Sequence, residues 1–529
     1  MTRTIIIGGG IAGLATAALL AREGHRVTLI EQHDEVGGRA GVWERDGFRF
    51  DTGPSWYLMP EVFDHFYRVL GTTAEQQLEL VQLDPGYRVY GEGHPEPLDI
   101  TASVEENLEL FESIERGAGL RLARYLDRAH EIYELAKERF LYSTFERLAP
   151  VLGGGTLRRA PRLLQLLLEP LDSLVRRTVR DTRLRQVLGY PAVFLGAAPR
   201  IAPSMYSLMS HLDLADGVHY PLGGFTRVLE TVADLARQNG AELRTGTRAT
   251  RIVVGEDGAV KGVEILPAHG KGATGRPALL EADIVVSAAD LHHTETVLID
   301  RPELRTYPEE YWQSRVAGPG ALLVMLGVSG ELPELEHHTL FFAKDWNAGF
   351  RAIFGDSPSV PDTPSVYVCK PSGVDAGVAP DGAENLFVLV PIPADPAFGR
   401  GGVDGGGDAA VEALADRVIE QIGSWAGIPD LASRVVLRRT VAPGDFAADL
   451  NAWKGTALGP AHTLKQSAFF RAGNVSKRVR GLYYAGSSTI PGIGLPMCLI
   501  SAELVLKRIR GDRSAGPVAE SLRAARAAT

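Results

Sequence analysis

Two kinds of residue near the start of the chain have the spacing needed to bind a dinucleotide. The apolar run 4–7 leads directly into the glycine-rich turn Gly8–Gly13, whose pattern is GxGxxG. Glycines in such a turn let the backbone approach a pyrophosphate, which then lies on the N-terminus of the following helix. Glu31 stands 18 residues beyond Gly13, where a carboxylate can accept both ribose hydroxyls. The residues predicted to bind the dinucleotide are Gly8, Gly10, Ile11, Ala12, Gly13 and Glu31.

The segments around these positions must form a strand, a helix and a second strand if the site is to exist. Residues 4–7 and 27–30 are short apolar runs typical of buried parallel strands. Residues 11–23 have the alanine and leucine content of a packed helix, and Gly24 stands where a helix C-cap is expected. This order predicts an α/β fold with a Rossmann-type dinucleotide-binding domain.

A second cluster of small residues, with one guanidinium, follows the predicted ribose-binding strand. Gly37, Gly38 and Arg39 come first, and a further glycine turn begins at Gly53. An arginine here can make a second, charge-assisted contact with the pyrophosphate, although a surface turn with an exposed arginine has the same composition. These residues resemble the GGR extension of the amine-oxidase-like flavoprotein superfamily, and the resemblance implies that the cofactor is FAD. The contacts predicted from this cluster are Gly38, Arg39, Gly53, Pro54 and Ser55.

The C-terminal part of the chain carries another glycine-rich turn, which we expect to close the flavin site. A strand at 482–485 ends at Gly486, and a loop of small residues leads to Pro496 at the start of a helix that runs to about Arg510. The free N–H groups and positive dipole end of such a helix suit the N1–C2=O locus of a reduced flavin. Cys498 lies close to the expected flavin edge, where packing is favoured over the alternative of covalent attachment. The predicted contacts are Gly486, Ser487, Gly494, Pro496 and Met497.

Three motifs make the resemblance more specific. The run GLYYAGSSTIPGIGLP at 481–496, YPLGG at 220–224 and the run 457–467 resemble the bacterial-type phytoene desaturases, and the similarity extends to about Gly511. It implies an FAD-dependent enzyme of carotenoid biosynthesis that inserts double bonds into phytoene by hydride transfer to flavin N5 with proton loss. It also implies that the backbone of Ala249 contacts the adenine edge. Ser487 departs from the pattern, because many relatives carry an acid there.

The resemblance and the order of apolar runs together predict the domain organisation. We expect a Rossmann-type FAD-binding domain of the GR2-like flavoprotein kind, an interleaved substrate domain and a helical membrane-associating region. The predicted FAD-binding domain is discontinuous and comprises 1–104, 217–301 and 436–511. The other predicted units are a helical region at 105–216, a substrate-domain sheet and helix at 302–435, and a flexible tail at 512–529.

Composition and charge exclude several other classes of function. The 529-residue chain has a formal net charge of -10, which argues against nucleic acid as a partner. Its two cysteines lie far apart and form no disulfide or metal pattern, so we expect a protein of the reducing cytoplasm. The early position of the first strand argues against a cleaved signal. The pairs His292–His293 and His337–His338 are expected to diverge, so no metal site is predicted.

One cationic segment stands out against the negative net charge. Residues 157–185 carry eight arginines against three acidic residues, with a leucine-rich run in the middle. This composition suits a helix on an anionic membrane surface, and a core helix followed by a solvated one is the alternative. A lipid-facing segment fits an apolar polyene substrate that is stored in the membrane. The arginines predicted to contact lipid are Arg158, Arg159, Arg162, Arg176, Arg177 and Arg180, and Tyr190–Leu195 is the alternative access route.

The catalytic residues are not evident from the sequence. Asp213, just before the YPLGG motif, is the candidate base that accepts the proton, and a helix cap or turn carboxylate is the other interpretation. An electron acceptor such as a quinone or oxygen must reoxidise the flavin. The competing functions are a later-step carotenoid desaturase or isomerase, a flavin amine oxidase on the same fold, and a flavin-binding membrane scaffold without turnover. We expect the protein to be cytoplasmic and peripherally associated with the cytoplasmic membrane.

Overall fold

The first strand of the chain lies in the middle of a five-stranded sheet. A computed structural model describes residues 1–146, 165–194, 196–270 and 273–520 of the chain. All neighbouring strands of this central sheet are parallel, which confirms the predicted Rossmann-type fold. Their order across the sheet is Leu482–Tyr484, Ile284–Ser287, Arg3–Ile7, Arg26–Ile30 and Glu242–Arg244.

The first helix, Ile11–Arg22, shows why this sheet forms at the start of the chain. Every residue from Ile11 to Ala21 is buried, as expected for a helix that is apolar on all sides. It packs against the helices Gly224–Gln238 and Leu495–Arg510, which come from two distant parts of the sequence. Gly24 follows its end with a φ of +87°, a conformation that glycine adopts without strain. The predicted end at residue 23 is therefore correct to within one residue.

A small antiparallel sheet lies beside the central sheet. Its strands are Thr247–Val254, Val260–Pro267 and Ala278–Glu281, in sequence order. The register shifts between Ala249 and Arg251, so a β-bulge follows Ala249. The bulge lies where the strand passes the edge of the central sheet.

A seven-stranded sheet forms the other half of the molecule. Its strands pair antiparallel except where His338–Phe342 pairs with Tyr87–Gly91. Their order is Val435–Val441, Gly320–Ser329, Ala383–Ile392, Val366–Cys369, His338–Phe342, Tyr87–Gly91 and Leu98–Ile100. Buried apolar residues cover both faces of this sheet. One of these cores is closed by helix Ala409–Ala426, which presents Val411, Leu414 and Val418.

The strand pairing differs from the predicted domain boundaries. The predicted FAD-binding domain includes residues 1–104 and 436–511, and the predicted substrate sheet is confined to 302–435. In the structure, the seven-stranded sheet also contains Tyr87–Gly91 and Leu98–Ile100, and its strand Val435–Val441 extends beyond residue 435. Tyr87–Gly91 pairs with His338–Phe342 and Val435–Val441 pairs with Gly320–Ser329, each more than a hundred residues away in the sequence. Local apolar patterns identify a strand but not its partner, so the sequence could not assign them.

The described part of the predicted helical region is built mainly of helices. Its α-helices include Val104–Ile114, Ala118–Ala136, Leu171–Thr178, Thr182–Gly189, Pro191–Phe194 and Leu208–Leu214. Further α-helices in the described residues are Pro60–Val69, Ala74–Gln77, Glu309–Gln313, Trp346–Phe354, Leu431–Arg434 and Pro443–Leu450. The hairpin Val42–Arg45 with Phe48–Asp51 and the strand pair Leu80–Gln82 with His219–Pro221 complete the described strands.

The segment after the last helix is more ordered than predicted. A flexible tail was expected from residue 512, but Val518 is buried and its N–H donates to the Glu503 carboxylate at 2.6 Å. The Lys507 ammonium donates to the carbonyls of Ser514 and Gly516. Two buried charged groups on the helix thus hold residues 512–518, an arrangement that the polar and alanine-rich composition did not reveal. The rest of the predicted tail, 521–529, lies outside the described residues.

Candidate functional site

The glycine-rich turn after the first strand leaves open space where a pyrophosphate is expected. Gly8 has a φ of +102°, and a Cβ built on Gly13 would lie 2.0 Å from the Gly8 carbonyl oxygen. Both positions therefore require glycine. A Cβ on Gly10 meets only the Gly37 carbonyl, at 3.8 Å, and otherwise points into a cavity. Gly10 is also the N-cap of the helix Ile11–Arg22, so the open space faces a positive helix end.

Glu31 is fixed at the end of the second strand by two backbone donors. Gly9 N–H donates to one carboxylate oxygen at 2.6 Å and His33 N–H donates to the other at 2.9 Å. The side chain is buried, yet it lines the same cavity as Gly10. A carboxylate held in this way is preorganised to accept ribose hydroxyls.

The guanidinium of Arg39 offers unused hydrogen-bond donors to an anion. In the described part of the chain, its Nε and Nη2 atoms are buried and have no hydrogen-bond partner. A Cβ on Gly53 would lie 2.0 Å from the Arg39 carbonyl oxygen, so Gly53 lets the two segments approach. Buried N–H groups without acceptors are unfavourable unless a ligand supplies the acceptors. A pyrophosphate supplies such acceptors, and Arg39 lines the cavity.

The last strand and last helix bring the C-terminal motif to the same cavity. Gly486 and Gly494 have φ values of +113° and +115°, which let the loop between them fold against the start of helix Leu495–Arg510. Cys498, in the first turn, is a buried free thiol whose pKa is raised by burial to about 12. A thiol is a nucleophile only when ionised, so this environment favours packing over covalent attachment.

The structure brings the predicted cofactor residues together. All of them line one cavity of about 650 Å³ except Gly13, whose role is to let the helix approach Gly8. The lining residues are Gly8, Gly10, Ile11, Ala12, Glu31, Gly38, Arg39, Gly53, Pro54, Ser55, Ala249, Gly486, Ser487, Gly494, Pro496 and Met497. Sequence reasoning missed Ala288–Asp290, which follow the neighbouring strand Ile284–Ser287 and also line the cavity. Their position at the carboxyl end of a parallel strand is the signal that locates them.

The cavity continues away from the glycine turns into an apolar arm between the two sheets. The arm is lined by Trp56, Tyr190, Met209, Leu212, Leu323, Leu340, Phe342, Trp346, Phe350 and Leu389. None of these ten side chains is charged, and Asp345, next to Trp346 in the sequence, also lines the cavity. The structure therefore offers a dinucleotide site that is continuous with a space suited to a hydrocarbon.

Asp213 lies behind the wall of this arm rather than in it. Its Oδ2 accepts hydrogen bonds from Tyr190 OH at 2.6 Å and Tyr87 OH at 3.2 Å, while Oδ1 is buried and without a partner among the described residues. Burial raises the pKa of Asp213 to about 7, and the two tyrosine hydrogen bonds oppose that rise. Tyr190 lines the arm and Asp213 does not, so Asp213 acts on the cavity only through Tyr190.

A histidine that sequence reasoning did not single out braces the C-terminal loop. Ile493 N–H donates to His462 Nε2 at 3.2 Å, so the ring proton is on Nδ1, which donates to Tyr206 OH at 2.7 Å. Tyr206 OH in turn donates to Ser467 Oγ at 3.0 Å. Burial, with the nearby charge of Arg471, keeps the pKa of His462 well below its usual value. The neutral ring therefore positions the loop at 491–494, whose residues line the cavity.

The adjacent pair His337–His338 does not diverge as expected. The two ring centroids are 4.6 Å apart, and the donor atoms of His337, His338 and Cys369 all lie within 4.8 Å of one another. Tyr367 OH lies 2.8 Å from His338 Nδ1. The three side chains are buried, and burial lowers the pKa of both histidines. The sequence could not foresee this grouping, because His338 and Cys369 become neighbours only when their strands pair.

The described part of the cationic segment is largely paired with acids. Arg176 forms an ion pair with Asp172 at 2.8 Å, and Arg177 pairs with Glu169. Arg180 is the third predicted lipid contact in the described part, and its backbone N–H donates to Glu115. Arg158, Arg159 and Arg162 lie outside the described residues, as do Leu163 and Leu164 of the leucine-rich run. No described helix is long and apolar enough to cross a membrane.

Exposed apolar side chains lie at one end of the cavity. Phe469 and the adjacent Phe470 are 54% and 49% exposed. Phe469 lines the cavity together with Phe145, and the two ring centroids are 6.3 Å apart. An apolar arm thus reaches the surface beside a group of exposed apolar side chains.

Comparison with known proteins agrees with this geometry. A family model described as flavin-containing amine oxidoreductase matches residues 11–509. The carotenoid 3,4-desaturase of Haloarcula japonica is 40% identical over 498 residues, which cover 94% of this chain and 96% of that protein. The 4,4'-diapophytoene desaturase of Staphylococcus aureus is 28% identical over 513 residues, which cover 97% of this chain and 99% of that protein.

Two solved structures share the fold at low sequence identity. An oxidoreductase from Methanosarcina mazei has a TM-score of 0.61 at 16% identity, and the match covers 96% of this chain and all of that one. Cyclohexylamine oxidase from Brevibacterium oxydans has a TM-score of 0.57 at 16% identity, covering 96% of this chain and 99% of that one. These two likenesses bear on the fold alone.

Proposed function

Because the chain belongs to the flavin-containing amine oxidoreductases and is an FAD-dependent carotenoid desaturase, we propose that it introduces double bonds into phytoene. The observation that carries this proposal is the predominantly apolar arm that runs on from the dinucleotide site. A substrate made of isoprene units has no polar handle, so its affinity must come from apolar contact along its length. An amine oxidase would instead need polar or aromatic groups around the flavin to hold a cationic amine, and of these the ten arm residues named above supply aromatic rings but no carboxylate.

The residues of the cavity fit FAD, and we assign their roles as follows. Glu31 would accept the ribose hydroxyls, and the turn at Gly8–Gly13 with the buried Nε and Nη2 groups of Arg39 would hold the pyrophosphate. Ala249 would contact the adenine edge, as the family resemblance implies. The loop 486–494 and the first turn of helix Leu495–Arg510 would receive the isoalloxazine ring. When bound there, FAD supplies a hydride acceptor at N5.

The chain itself would contribute two things to the reaction: it positions the substrate, and it accepts one proton. Loss of a hydride from an allylic carbon makes the neighbouring C–H strongly acidic, so a weak acceptor suffices. Tyr190 faces the arm and is hydrogen-bonded to Asp213, whose raised pKa lets it take up a proton near neutral pH. We therefore assign Asp213 the role of a positioning residue that acts through Tyr190. Tyr190→Phe should lower turnover while leaving FAD content unchanged.

Expression of the chain in phytoene-accumulating cells, followed by chromatography of the carotenoids, tests the proposed substrate. We expect phytoene to be consumed and more unsaturated, coloured products to appear. Gly10→Val is the control, since a side chain there fills the open pyrophosphate space and should abolish FAD binding. Unchanged phytoene with the parent chain at full FAD content would overturn the assignment.

A later desaturation step is the second candidate, and the 40% identical carotenoid 3,4-desaturase favours it. Cells that accumulate an already desaturated acyclic carotene distinguish the two, because only a later-step enzyme leaves phytoene intact and converts the coloured carotene. A redox-neutral isomerase would convert a carotene without reducing the flavin. Release of hydrogen peroxide with common amines would instead support an amine oxidase.

The terminal electron acceptor is proposed to be a quinone or oxygen. Reoxidation of substrate-reduced enzyme under argon with a soluble quinone, compared with air alone, separates these two. Absence of flavin bleaching with any carotene in liposomes would support a scaffold without turnover.

We further propose that the protein works at the cytoplasmic face of the membrane and takes its substrate through the end of the cavity at Phe469. An apolar side chain there can enter the acyl boundary, and arginines beside it can contact anionic lipid at about 1 kcal/mol each. Exposed Phe469 and Phe470 lie at this end, and Leu166 and Leu167 of the cationic segment also line the cavity.

Liposome flotation tests the membrane proposal. The double variant Phe469→Ser with Phe470→Ser should lose association in high salt, and the triple Gln variant of Arg158, Arg159 and Arg162 should lose association in low salt only. FAD content is the control for folding in both cases. Flotation equal to the parent in both variants would place the access route elsewhere, with Tyr190–Leu195 as the alternative.

A further inference from the structure

A buried cation lies directly behind the wall that we assign to the isoalloxazine ring. Arg471 is 6% exposed, and among the described residues its guanidinium donates only to backbone carbonyls. Nε donates to Thr489 O and Nη1 to Gln466 O, both at 3.1 Å. Nη2 donates to Pro460 O at 3.2 Å and to Ser487 O at 2.5 Å. The side chain therefore joins the segment 460–466 to the cavity loop that begins at Gly486.

This cation has no carboxylate to balance it. The described residues include every Asp and Glu of the chain, and none of them forms an ion pair with Arg471 within 4.0 Å. Burial lowers the pKa of Arg471 to about 10, so the group stays charged at neutral pH. Arginines are rarely fully buried unless paired, because a buried charge loses its hydration. Four carbonyl dipoles offset part of that loss but leave the net charge in place.

The positive charge of Arg471 lies close to the cavity, because Arg471 contacts or lies near residues that line it. Ser487, whose carbonyl accepts from Arg471, lines the cavity. Cys498 also lines it, and the positive charges of Arg39 and Arg471 both oppose the rise in the Cys498 thiol pKa, so both guanidinium groups lie near that wall. Cys498 is in the first turn of helix Leu495–Arg510, whose N-terminus carries a further positive partial charge.

We propose that Arg471 is an electrostatic positioning residue that makes the bound FAD a stronger oxidant. Reduction places negative charge on the N1–C2=O side of the ring, and a fixed cation in a low-dielectric wall stabilises that charge. The cation stabilises the neutral oxidised ring less than the negatively charged reduced ring, so the reduction potential of the flavin rises. This inference rests on the ring position proposed above, and it is independent of which carotene is the substrate.

Two substitutions separate the charge from the cross-bracing. Arg471→Lys keeps a cation but loses the planar set of carbonyl contacts, while Arg471→Gln loses the cation. The matched control is Arg315→Gln, which removes a more solvent-accessible arginine that donates to Lys465 O in the same segment. Each holoenzyme is first checked for its ratio of flavin to protein. The two readouts are the two-electron midpoint potential against a reference dye and the Kd for sulfite, which adds to flavin and leaves negative charge on the ring.

We expect the parent, Arg471→Lys and Arg315→Gln to have similar potentials and sulfite affinities. Arg471→Gln should have a lower potential and bind sulfite about tenfold more weakly, a loss of about 1.4 kcal/mol. Equal values for Arg471→Gln and the parent would overturn the proposal, and so would equal losses in the Lys and Gln variants, since the Lys variant retains the charge.

A measurement on the parent protein keeps the proposal testable if Arg471→Gln does not fold. The reduced holoenzyme, titrated from pH 6 to 8, should show the spectrum of anionic reduced flavin throughout. A neutral reduced flavin in that range would overturn the proposal. Phytoene conversion is measured separately, so an inactive enzyme with a high potential would count against the proposed substrate and not against Arg471.

Discussion

The buried carboxyl of Asp213 should make the stability of this protein fall as the pH rises towards 7. Its pKa is about 3.8 in an unfolded chain and about 7 in the fold, because burial disfavours the ionised form. Between these values the folded state keeps a proton that the unfolded state has lost, so unfolding becomes easier as the pH rises. The stability that Asp213 contributes is greatest below the pKa of the unfolded state, and it is lost as the pH rises through the pKa of the folded state.

The shift in the pKa of Asp213 sets the size of this change in stability. One pKa unit corresponds to about 1.4 kcal/mol, so the whole shift is worth on the order of 4 kcal/mol. Between pH 5 and 7 the parent should lose about 2 kcal/mol relative to Asp213→Asn, since the folded carboxyl begins to ionise near the upper limit. The asparagine keeps an acceptor for Tyr190 OH and does not titrate.

Urea unfolding followed by fluorescence at several pH values measures this difference. The exposed Asp127→Asn is the control for loss of one carboxylate from the helical region. Tyr87→Phe removes one of the two donors to Asp213 and should move the transition to higher pH, because that hydrogen bond favours the ionised form. Parallel stability curves for the parent and Asp213→Asn between pH 5 and 7 would refute the reasoning.

Three further predictions concern the cofactor site. Gly13→Ala should abolish FAD binding, because its Cβ lies 2.0 Å from the Gly8 carbonyl oxygen, whereas Gly516→Ala, which meets nothing within 4 Å, should bind FAD as the parent does; equal flavin content in the two variants would contradict this. Arg39→Met should weaken FAD affinity between about tenfold and a hundredfold, as expected for loss of charge-assisted hydrogen bonds, and titration of apoprotein with FAD measures it. Cys498→Ala should leave the flavin as extractable by acid as in the parent, and flavin that stays with denatured parent protein would show covalent attachment.

The sequence alone determined the parts of the site that depend on local chemistry. The strand, the GxGxxG turn and the first helix follow one another within about twenty residues, so the contacts among these three are local and their pattern is sufficient to identify them. The same holds for the last strand, its glycine loop and the helix that begins at Leu495. The sequence marks positions such as Gly8 and Gly486 with glycine, because only glycine adopts their φ values without strain.

The tertiary structure decided everything that depends on which distant segments meet. Tyr87–Gly91 joins the seven-stranded sheet because it pairs with His338–Phe342, a choice that its own alternation of apolar residues does not encode. Asp213 becomes a buried group behind Tyr190 only when two helices pack together. Arg471 looks like an ordinary surface arginine in the sequence, and it becomes a buried charge because four carbonyls from two loops surround it. Burial and long-range pairing are properties of the packed chain, so no local pattern records them.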